Sequence, residues 1–219
     1  MVARYDGIAE WYDREFAHSE LGEATRRIAL RLLGPGPGRV LDLGCGGGLM
    51  MLALAEAGWS PAGVDVSEEQ VRLAGERGCR AARADATDLP FQDGSFDAVA
   101  SLFTHTDVDD FGALLREAAR VLVPDGRLLY LGVHPCFVGP HAFVHDRTVP
   151  ELHPGYRDTE RRHEAPGIWT EGLRAKVGAR HLPLGLFIQS FLDAGFRLER
   201  FEEPEGREFP HIVALVCRK

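Results

Sequence analysis

The stretch "VLDLGCGGGLM", residues 40–50, decides the fold of this chain. A short apolar run that contains Asp42 is typical of a buried strand, and it leads into a loop of four glycines broken only by Cys45. "LMMLALAEAG" follows directly and predicts a helix that ends at Gly58. A glycine loop between a first strand and a first helix lies at the ligand-binding edge of an open parallel sheet, because glycine lets a ligand approach the backbone closely.

Strand and helix patterns alternate after this loop. The segments "SPAGVDVS", "CRAARAD", "FDAVASLF" and "RLLYLGV" predict four further strands, and "PDG" predicts a turn just before the last of them. Residues 5–33, before the loop, have helical spacing. This alternation predicts an α/β fold with parallel strands. It breaks at His134, and order returns with "LFIQSFLDAGFRLERFEEP" and "HIVALVCRK", which predict a helix and an antiparallel strand pair at one sheet edge.

The composition narrows the class of protein. A chain of 219 residues suits a single domain, and a net charge of −8 argues against nucleic acid or an anionic membrane as a partner. The four cysteines are scattered and indicate reduced thiols, so we expect a cytoplasmic protein. The charged N-terminal segment does not resemble a signal peptide, and no apolar stretch reaches membrane-spanning length. The sequence leaves open whether the chain is a monomer or a homodimer.

Acidic residues accompany three successive predicted strands at this edge: Asp42, Asp65 and Asp85. The loop departs from the G-x-G-x-x-G dinucleotide pattern at Leu49, and an acid so close to it disfavours a pyrophosphate. Asp65 lies 21 positions after Gly44, where a ribose-binding acid is expected. The set predicts a ligand with ribose hydroxyls, positive charge and no phosphate, a description that S-adenosylmethionine meets. Asp42 has a second interpretation, as a brace that accepts loop N–H groups.

The ordered motifs resemble those of the class I S-adenosylmethionine-dependent methyltransferases, and more narrowly the small-molecule branch of the ubiquinone and menaquinone methyltransferases. The resemblance rests on "VLDLGCGGG", "GVDVSEEQV", "ADATDLPFQDGSFDAVASLFTHTDV", "EAARVLVPDGRLLYLGV" and "ARHLPLGLFIQSFLDAGF", which cover most of the chain. It implies a Rossmann-like seven-stranded sheet of order 3-2-1-4-5-7-6 flanked by helices. Within one domain, 1–219, we expect an N-terminal helical cap (1–38), a cofactor-binding core (39–133), a lid insertion (134–187) and a last helix with the terminal strand pair (188–219).

The resemblance implies cofactor contacts at ten positions, to which the acid pattern adds Asp42: Tyr5, Tyr12, Gly44, Cys45, Gly46, Asp65, Val66, Asp85, Ala86 and Ser101. The backbone of the glycine loop and of Ser101 would line the methionine moiety. Asp65 would hold the ribose hydroxyls, and Val66 would pack on the adenine. Asp85 and the N–H of Ala86 would meet the adenine edge. The two tyrosines would close over the cofactor, unless the helix that carries Tyr12 only packs on the core.

Methyl transfer from a sulfonium needs alignment and exclusion of water, and a phenol or alcohol acceptor also needs a base. The candidate bases are His105, His134, His141 and His145, each of which has a surface or supporting role as its alternative. We predict no metal site, because the spacing of the lid histidines and the lack of a carboxylate pattern do not support one. The aromatic and arginine residues of 134–187 are expected to shape the acceptor pocket.

These observations predict a methyltransferase that acts on the oxygen or nitrogen of a small, secondary-metabolite-like acceptor. Three alternatives stay open: a binding protein or non-methylating enzyme that retains the cofactor, a C-methyltransferase of a quinone-type substrate, and a nicotinamide oxidoreductase. The missing third glycine and the acids at 42 and 85 speak against the last of these.

Overall fold

The computed structural model describes residues 3–143, 149–204 and 208–219. Their strands in chain order are β1 (Arg39–Leu43), β2 (Ser60–Asp65), β3 (Ala81–Arg83), β4 (Phe96–Leu102), β5 (Leu122–Val133), β6 (Ala142–Phe143), β7 (Glu151–Leu152), β8 (Arg197–Glu202) and β9 (Ile212–Arg218). The helices are α1 (Ala9–Tyr12), α2 (Glu20–Leu33), α3 (Leu49–Glu56), α4 (Glu68–Glu76), α5 (Phe111–Val121), α6 (Leu173–Val177) and α7 (Leu184–Asp193).

Seven of these strands form one sheet in the order β3-β2-β1-β4-β5-β9-β8. β1 to β5 pair in parallel, whereas β9 is antiparallel to both β5 and β8. When the small β6–β7 hairpin is set aside, this is the order 3-2-1-4-5-7-6, so the predicted Rossmann-like fold and its terminal antiparallel pair are confirmed. The carboxyl ends of β1 and β4, which flank the switch point of the sheet, therefore lie side by side.

Both faces of the sheet are covered. Along β9, alternate residues enter two different apolar clusters: Val213 and Leu215 face α5 and α7, whereas Ala214 and Val216 face α2 and α3. Alternate positions of a strand point to opposite faces, so the continuous apolar runs of the sequence correspond to strands buried on both sides. Among the described residues, no helix is both long and apolar enough to cross a membrane.

Local signals set the ends of the helices. Ser67 accepts a hydrogen bond from Gln70 N and begins α4, as its sequence predicts. Asp110 does the same for α5 through Ala113 N. Gly58 follows α3 with a positive φ of 89°, which is the usual way in which glycine ends a helix.

One local prediction was wrong. The "PDG" turn does not precede the fifth strand but lies inside it: the register jumps from Phe96 opposite Leu122 to Ala98 opposite Arg127, and Asp125 takes a φ of 60° in the resulting bulge. The helical spacing of residues 5–33 corresponds to α1 and α2, which a π-helical turn at Asp13–Ala17 separates.

The segment after β5 contains the β6–β7 hairpin, the short α6 and long connections. A close backbone contact holds it together, since a Cβ on Gly167 would lie only 1.9 Å from the Gly139 carbonyl oxygen. α7 begins at Leu184, a few residues inside the range that the sequence assigned to the lid insertion.

α7 carries the apolar centre beneath the site. Phe187 is fully buried, lies parallel to Phe111 with ring centroids 5.8 Å apart, and meets the rings of His105, Tyr130 and Phe191 edge-on. We expect Phe187→Ala to lower the free energy of unfolding by about 3–5 kcal/mol, because it leaves a cavity among rings that cannot collapse.

Urea denaturation measures this loss. Leu186→Ala is the matched control on the same helix, because Leu186 is 53% exposed and its truncation should change stability by less than about 0.5 kcal/mol. Equal effects of the two substitutions would contradict the packing described here.

Candidate functional site at the carboxyl edge of the sheet

The glycine loop turns tightly against two strand ends. The backbone N–H groups of Gly44 and Cys45 both donate to the Val64 carbonyl oxygen at 2.9 Å. Gly44 has a φ of 79°, and a Cβ on it would lie 2.7 Å from Cγ2 of Thr104. Glycine is therefore required here for two reasons, the left-handed backbone and the close approach of the residues after β4.

Asp65, at the end of β2, joins two loops. Its Oδ2 accepts from Gly46 N and its Oδ1 accepts from Ser67 N, both at 2.9 Å. Burial raises the pKa of the Asp65 carboxyl, and the backbone donors oppose that rise. Each oxygen keeps a further lone pair, so the carboxylate can still accept from the hydroxyls of a ligand.

Asp42, in β1, is only 2% exposed, and its Oδ2 has no hydrogen-bond partner among the described residues. Burial and the nearby Asp65 raise the pKa of Asp42 to about 7. An unpaired carboxyl oxygen so deep in the fold is costly unless it meets a donor or a cation. The bracing role therefore does not account for this oxygen.

The other sequence-predicted positions lie along the same edge. Asp85 accepts from the backbone N–H and hydroxyl of Thr87 through one oxygen, Oδ1, at 2.9 and 2.8 Å. Val66 and Ala86 are partly exposed in the loops after β2 and β3. Ser101 is fully buried, and its hydroxyl shares a 2.8 Å hydrogen bond with the hydroxyl of Thr104.

The N-terminal segment carries both predicted tyrosines to this edge. Their rings meet edge-to-face at 5.0 Å, and Tyr5 Oη donates to Asp107 Oδ2 at 3.3 Å. Burial, with Asp107 adding to it, raises the pKa of Tyr12 to about 12, so both phenols stay neutral. Asp65 contributes to the same shift, which indicates that the tyrosines and the acid of β2 share one environment.

Polar contacts fasten this segment to the core. Asp6 accepts from the hydroxyl of Ser67 at 2.6 Å. Arg77 donates to the Gly47 carbonyl oxygen at 2.6 Å and forms a two-pronged ion pair with Asp13. One arginine thus connects the glycine loop to the N-terminal segment.

Arginines from the N-terminal segment and from the lid converge on the loop after β4. Arg4 and Arg161 both donate to the Asp107 carbonyl oxygen and both pair with Asp109. Arg174, from α6, pairs with Asp107 Oδ1 at 2.6 Å. This loop therefore holds the lid and the N-terminal segment together.

His105 lies under the lid in the core. It is 2% exposed, and its Nδ1 lies 2.6 Å from Tyr130 Oη, which also accepts from the His105 backbone N–H. Burial, together with the nearby Arg174 and His181, lowers the pKa of His105 to about 3. The ring is neutral at physiological pH.

His134 is held by two structural contacts. Its Nδ1 accepts from Cys136 N at 3.1 Å, so the ring proton is on Nε2, which faces Glu203 at 2.9 Å. Both nitrogens are occupied, and His134 therefore has no lone pair for an acceptor's proton. His145 lies outside the described residues.

His141 and His181 form a buried pair with ring centroids 4.5 Å apart. Nε2 of His141 donates to the Cys136 carbonyl oxygen at 3.3 Å, which leaves Nδ1 with a lone pair that has no partner among the described residues. Nε2 of His181 is likewise buried and unpartnered there. The sequence candidates did not include His181, although it stands inside the quoted motif "ARHLPLG".

A small cavity of about 60 Å³ opens beside these rings. Its polar lining consists of His105, Thr106, Arg174, Arg180 and His181, and its apolar side chains are Val133, Val138, Pro140, Ile168 and Ala179. Arg174 is therefore the side chain that lines the cavity and also pairs with Asp107, the partner of Tyr5.

Comparisons with known proteins agree with this geometry. Residues 41–130 match the family model of a methyltransferase domain. A demethylmenaquinone methyltransferase from Mycobacterium marinum is 39% identical over 134 residues, which are 59% of this chain and 57% of that protein. The crystal structure of an S-adenosylmethionine-dependent methyltransferase from Mesorhizobium loti has the same fold, with a TM-score of 0.72, 24% identity, and coverage of 98% of this chain and 99% of that one. The chain thus contains a region that matches a methyltransferase domain, and it has the fold of an S-adenosylmethionine-dependent methyltransferase.

A further relative of this chain is the 27-O-demethylrifamycin SV methyltransferase of Amycolatopsis mediterranei, 39% identical over 131 residues. The alignment covers 54% of this chain and 47% of that protein. The matched regions thus span about half the length of these curated relatives.

The site has polar groups that fit S-adenosylmethionine, the cofactor of the methyltransferases that the chain resembles. The unpartnered oxygen of Asp42 suits a cationic ligand, and the free lone pairs of Asp65 suit hydroxyl groups. Gln70 was not predicted: it is buried, and neither its Oε1 nor its Nε2 has a partner among the described residues. A Cβ on Gly46 would lie 3.6 Å from that Oε1, so the amide lies directly beneath the glycine loop.

Cys45 carries the thiol of the glycine loop. Burial, with Asp42 and Asp65 adding to it, raises the pKa of the Cys45 thiol far above its usual range, which opposes a nucleophilic role. Within the described ranges, no three His, Cys, Asp or Glu side chains are grouped as metal ligands would be.

The raised pKa of Asp42 predicts a pH-dependent stability. The folded state keeps the proton of Asp42 up to about pH 7, whereas the unfolded state releases it near pH 4. The contribution of Asp42 to the free energy of unfolding is therefore greatest below about pH 4. It falls as the pH rises from about 4 to about 7, and it is constant above that range. Relative to Asp42→Asn in the cofactor-free protein, the wild type should lose up to about 4 kcal/mol over this range.

Urea denaturation of both proteins at a series of pH values measures the difference. The comparison with the variant is needed because His105 and His181, whose pKa values are lowered, give stability the opposite slope below about pH 6.5. A difference that is constant across this range would contradict the buried, unpaired state of Asp42.

Proposed function

We propose that this chain transfers the methyl group of S-adenosylmethionine to an oxygen or nitrogen atom of a small-molecule acceptor. One observation carries the proposal: the acidic glycine-loop edge and a histidine-lined apolar cavity adjoin at a single ion pair, Arg174 with Asp107. A cofactor seat and an acceptor seat that share a wall are what a direct transfer between two bound molecules requires.

The acidic residues at the strand ends indicate where the nucleoside of the cofactor would bind. We assign the ribose hydroxyls to Asp65, whose oxygens keep free lone pairs, and the adenine amine to Asp85, whose Oδ1 alone is engaged by Thr87. Val66 and Ala86, partly exposed in the adjoining loops, would pack on and hydrogen-bond the adenine.

The glycine loop indicates where the methionine moiety of the cofactor would bind. We assign it to the backbone of Gly44, Cys45 and Gly46 and to that of Ser101, which is opposite Leu43 in the β1–β4 pair. Asp42 lies beneath this loop as an unpaired acid, where the cationic groups of the ligand would offset its burial. Tyr5 and Tyr12 would cover the bound cofactor.

The bound cofactor supplies an activated methyl group on a positively charged sulfur. The protein's own contribution is to orient the acceptor, exclude water and hold a proton acceptor nearby. The lid closes the cavity through the arginines on the loop after β4. His105 lines the cavity as a neutral ring. Of the predicted bases among the described residues, it is the one that lines the proposed acceptor cavity.

Oxygen or nitrogen is proposed as the acceptor atom because neutral histidine rings line the cavity, and these can accept the proton that such an acceptor loses. The relative named for 27-O-demethylrifamycin SV, a secondary-metabolite-like acceptor, agrees with this choice. Methylation of a quinone-type carbon is the second candidate, favoured by the identity to a demethylmenaquinone methyltransferase. We further propose a cytoplasmic location, since all four cysteines are unpaired thiols.

Asp65 provides the first test. Asp65→Ala should lower the affinity for S-adenosylhomocysteine by about 100-fold or more in isothermal titration calorimetry, because two hydrogen bonds to a carboxylate are lost. Asp88→Ala is the matched control, an exposed acid three residues beyond Asp85 that should leave binding unchanged. Urea denaturation shows whether each variant is folded, since Asp65 also holds Gly46 and Ser67. Unchanged affinity in a folded Asp65→Ala variant would overturn the ribose assignment.

Turnover provides the second test. We expect S-adenosylhomocysteine to form from S-adenosylmethionine in the presence of phenols or amines, and to form more slowly with quinones that offer only carbon. Faster turnover of the quinones would favour the C-methyltransferase. Binding without turnover on any of these acceptors would favour a protein that retains the cofactor for another purpose.

A further inference from the structure

His181 is a buried histidine that the proposed cofactor seat does not use. It is 3% exposed, and it lines the cavity that also contains His105 and Arg174. Its Nε2 has no partner among the described residues. A buried acceptor nitrogen that is left unpaired costs free energy, so a group that donates a hydrogen bond to it is expected in the complete complex.

The other ring nitrogen of His181 is fixed. A hydrogen bond to the Tyr156 backbone raises the pKa of the His181 ring, and we assign this bond to Nδ1 because Nε2 has no partner among the described residues. A carbonyl oxygen can only accept, so Nδ1 carries the proton and Nε2 carries the lone pair. This is the tautomer that a base facing the cavity needs.

The surroundings keep the ring neutral. Burial and the nearby His141 lower the pKa of His181 to about 4, against the opposing effects of the Tyr156 carbonyl and Asp158. From the other walls, His105 is itself neutral, the charge of Arg174 is paired with Asp107, and Arg180 donates to the Thr159 carbonyl oxygen. The lone pair of Nε2 is therefore available at physiological pH.

We propose that His181 Nε2 binds and deprotonates the acceptor, and that the acceptor is a flat aromatic molecule with a weakly acidic O–H group, a phenol. The apolar side chains of the cavity suit an aromatic ring, and the unpaired Nε2 of His181 suits one donor group. This inference rests on the proposed methyltransferase function and names its substrate class and its base.

The proposed reaction accounts for every bond, proton and charge with these groups. The phenol oxygen forms its new bond to the methyl carbon while the carbon–sulfur bond breaks with its electron pair on sulfur. The phenolic proton passes to Nε2, so one positive charge disappears from the sulfonium as one appears on the imidazole ring. The imidazolium then releases its proton to water when the products leave.

The direct test uses phenol itself as the probe and toluene as its analogue without a donor. In protein labelled with ¹⁵N-histidine and saturated with S-adenosylhomocysteine, phenol should shift the Nε2 resonance of His181 upfield, and toluene should leave it in place. His181→Phe should weaken phenol binding about tenfold and leave toluene binding within about twofold. His163→Phe, on an exposed lid histidine, is the matched control and should change neither.

A kinetic test separates a base from a structural residue. For phenols of graded acidity, His181→Phe should lower kcat by about 100-fold for the least acidic and much less for 4-nitrophenol, which is already largely ionised near neutral pH. An equal loss for all phenols, or a phenol that binds without shifting the His181 resonance, would overturn the role of His181. Failure of the wild type to bind S-adenosylhomocysteine would instead overturn the proposed function itself.

Discussion

The carboxylate of Asp65 is the contact on which the rest of the site depends. It receives one backbone N–H from the glycine loop and one from the loop after β2, and so fixes the distance between them. Ser67, whose N–H it accepts, donates its hydroxyl to Asp6, so the N-terminal segment is positioned by the same chain of bonds. Hydrogen bonds to a carboxylate are stronger than neutral ones, and Arg77 adds a second connection between the glycine loop and the N-terminal segment.

The same edge carries a charge arrangement that the free protein satisfies poorly. Burial raises the pKa of both Asp42 and Asp65, and the nearby Asp65 raises the pKa of Asp42 further. Gln70 adds a buried amide without partners in the described part of the chain. Unsatisfied groups of this kind lower stability, and their concentration at one edge of the sheet is the mark of a site shaped for a polar, cationic ligand.

The sequence predicted the sheet well and the lid poorly, for physical reasons. Apolar runs buried on both faces identify parallel strands. The acids at the carboxyl ends of these strands lie at one edge of the sheet, and their position does not depend on the conformation of residues 134–187. The bulge around Asp125 depends on the register with β4, which no local pattern records. His134 has the expected place after β5, but the partners of its ring, Cys136 and Glu203, come from separate turns of the chain. His181 reaches the cavity from the opposite end of the insertion and carries no local signal for it.

The proposed cofactor seat and acceptor cavity are linked through one residue. Tyr5, from the proposed cofactor seat, and Arg174, from the lining of the cavity, both bind the side chain of Asp107. Arg4 from the N-terminal segment and Arg161 from the segment after β5 both donate to the backbone carbonyl of the same residue. A movement of the N-terminal segment away from this loop would break the contacts of Arg4 and Tyr5 with the residue that also holds Arg161 and Arg174. The exclusion of water that the proposed methyl transfer needs would therefore require both segments to contact Asp107 at once.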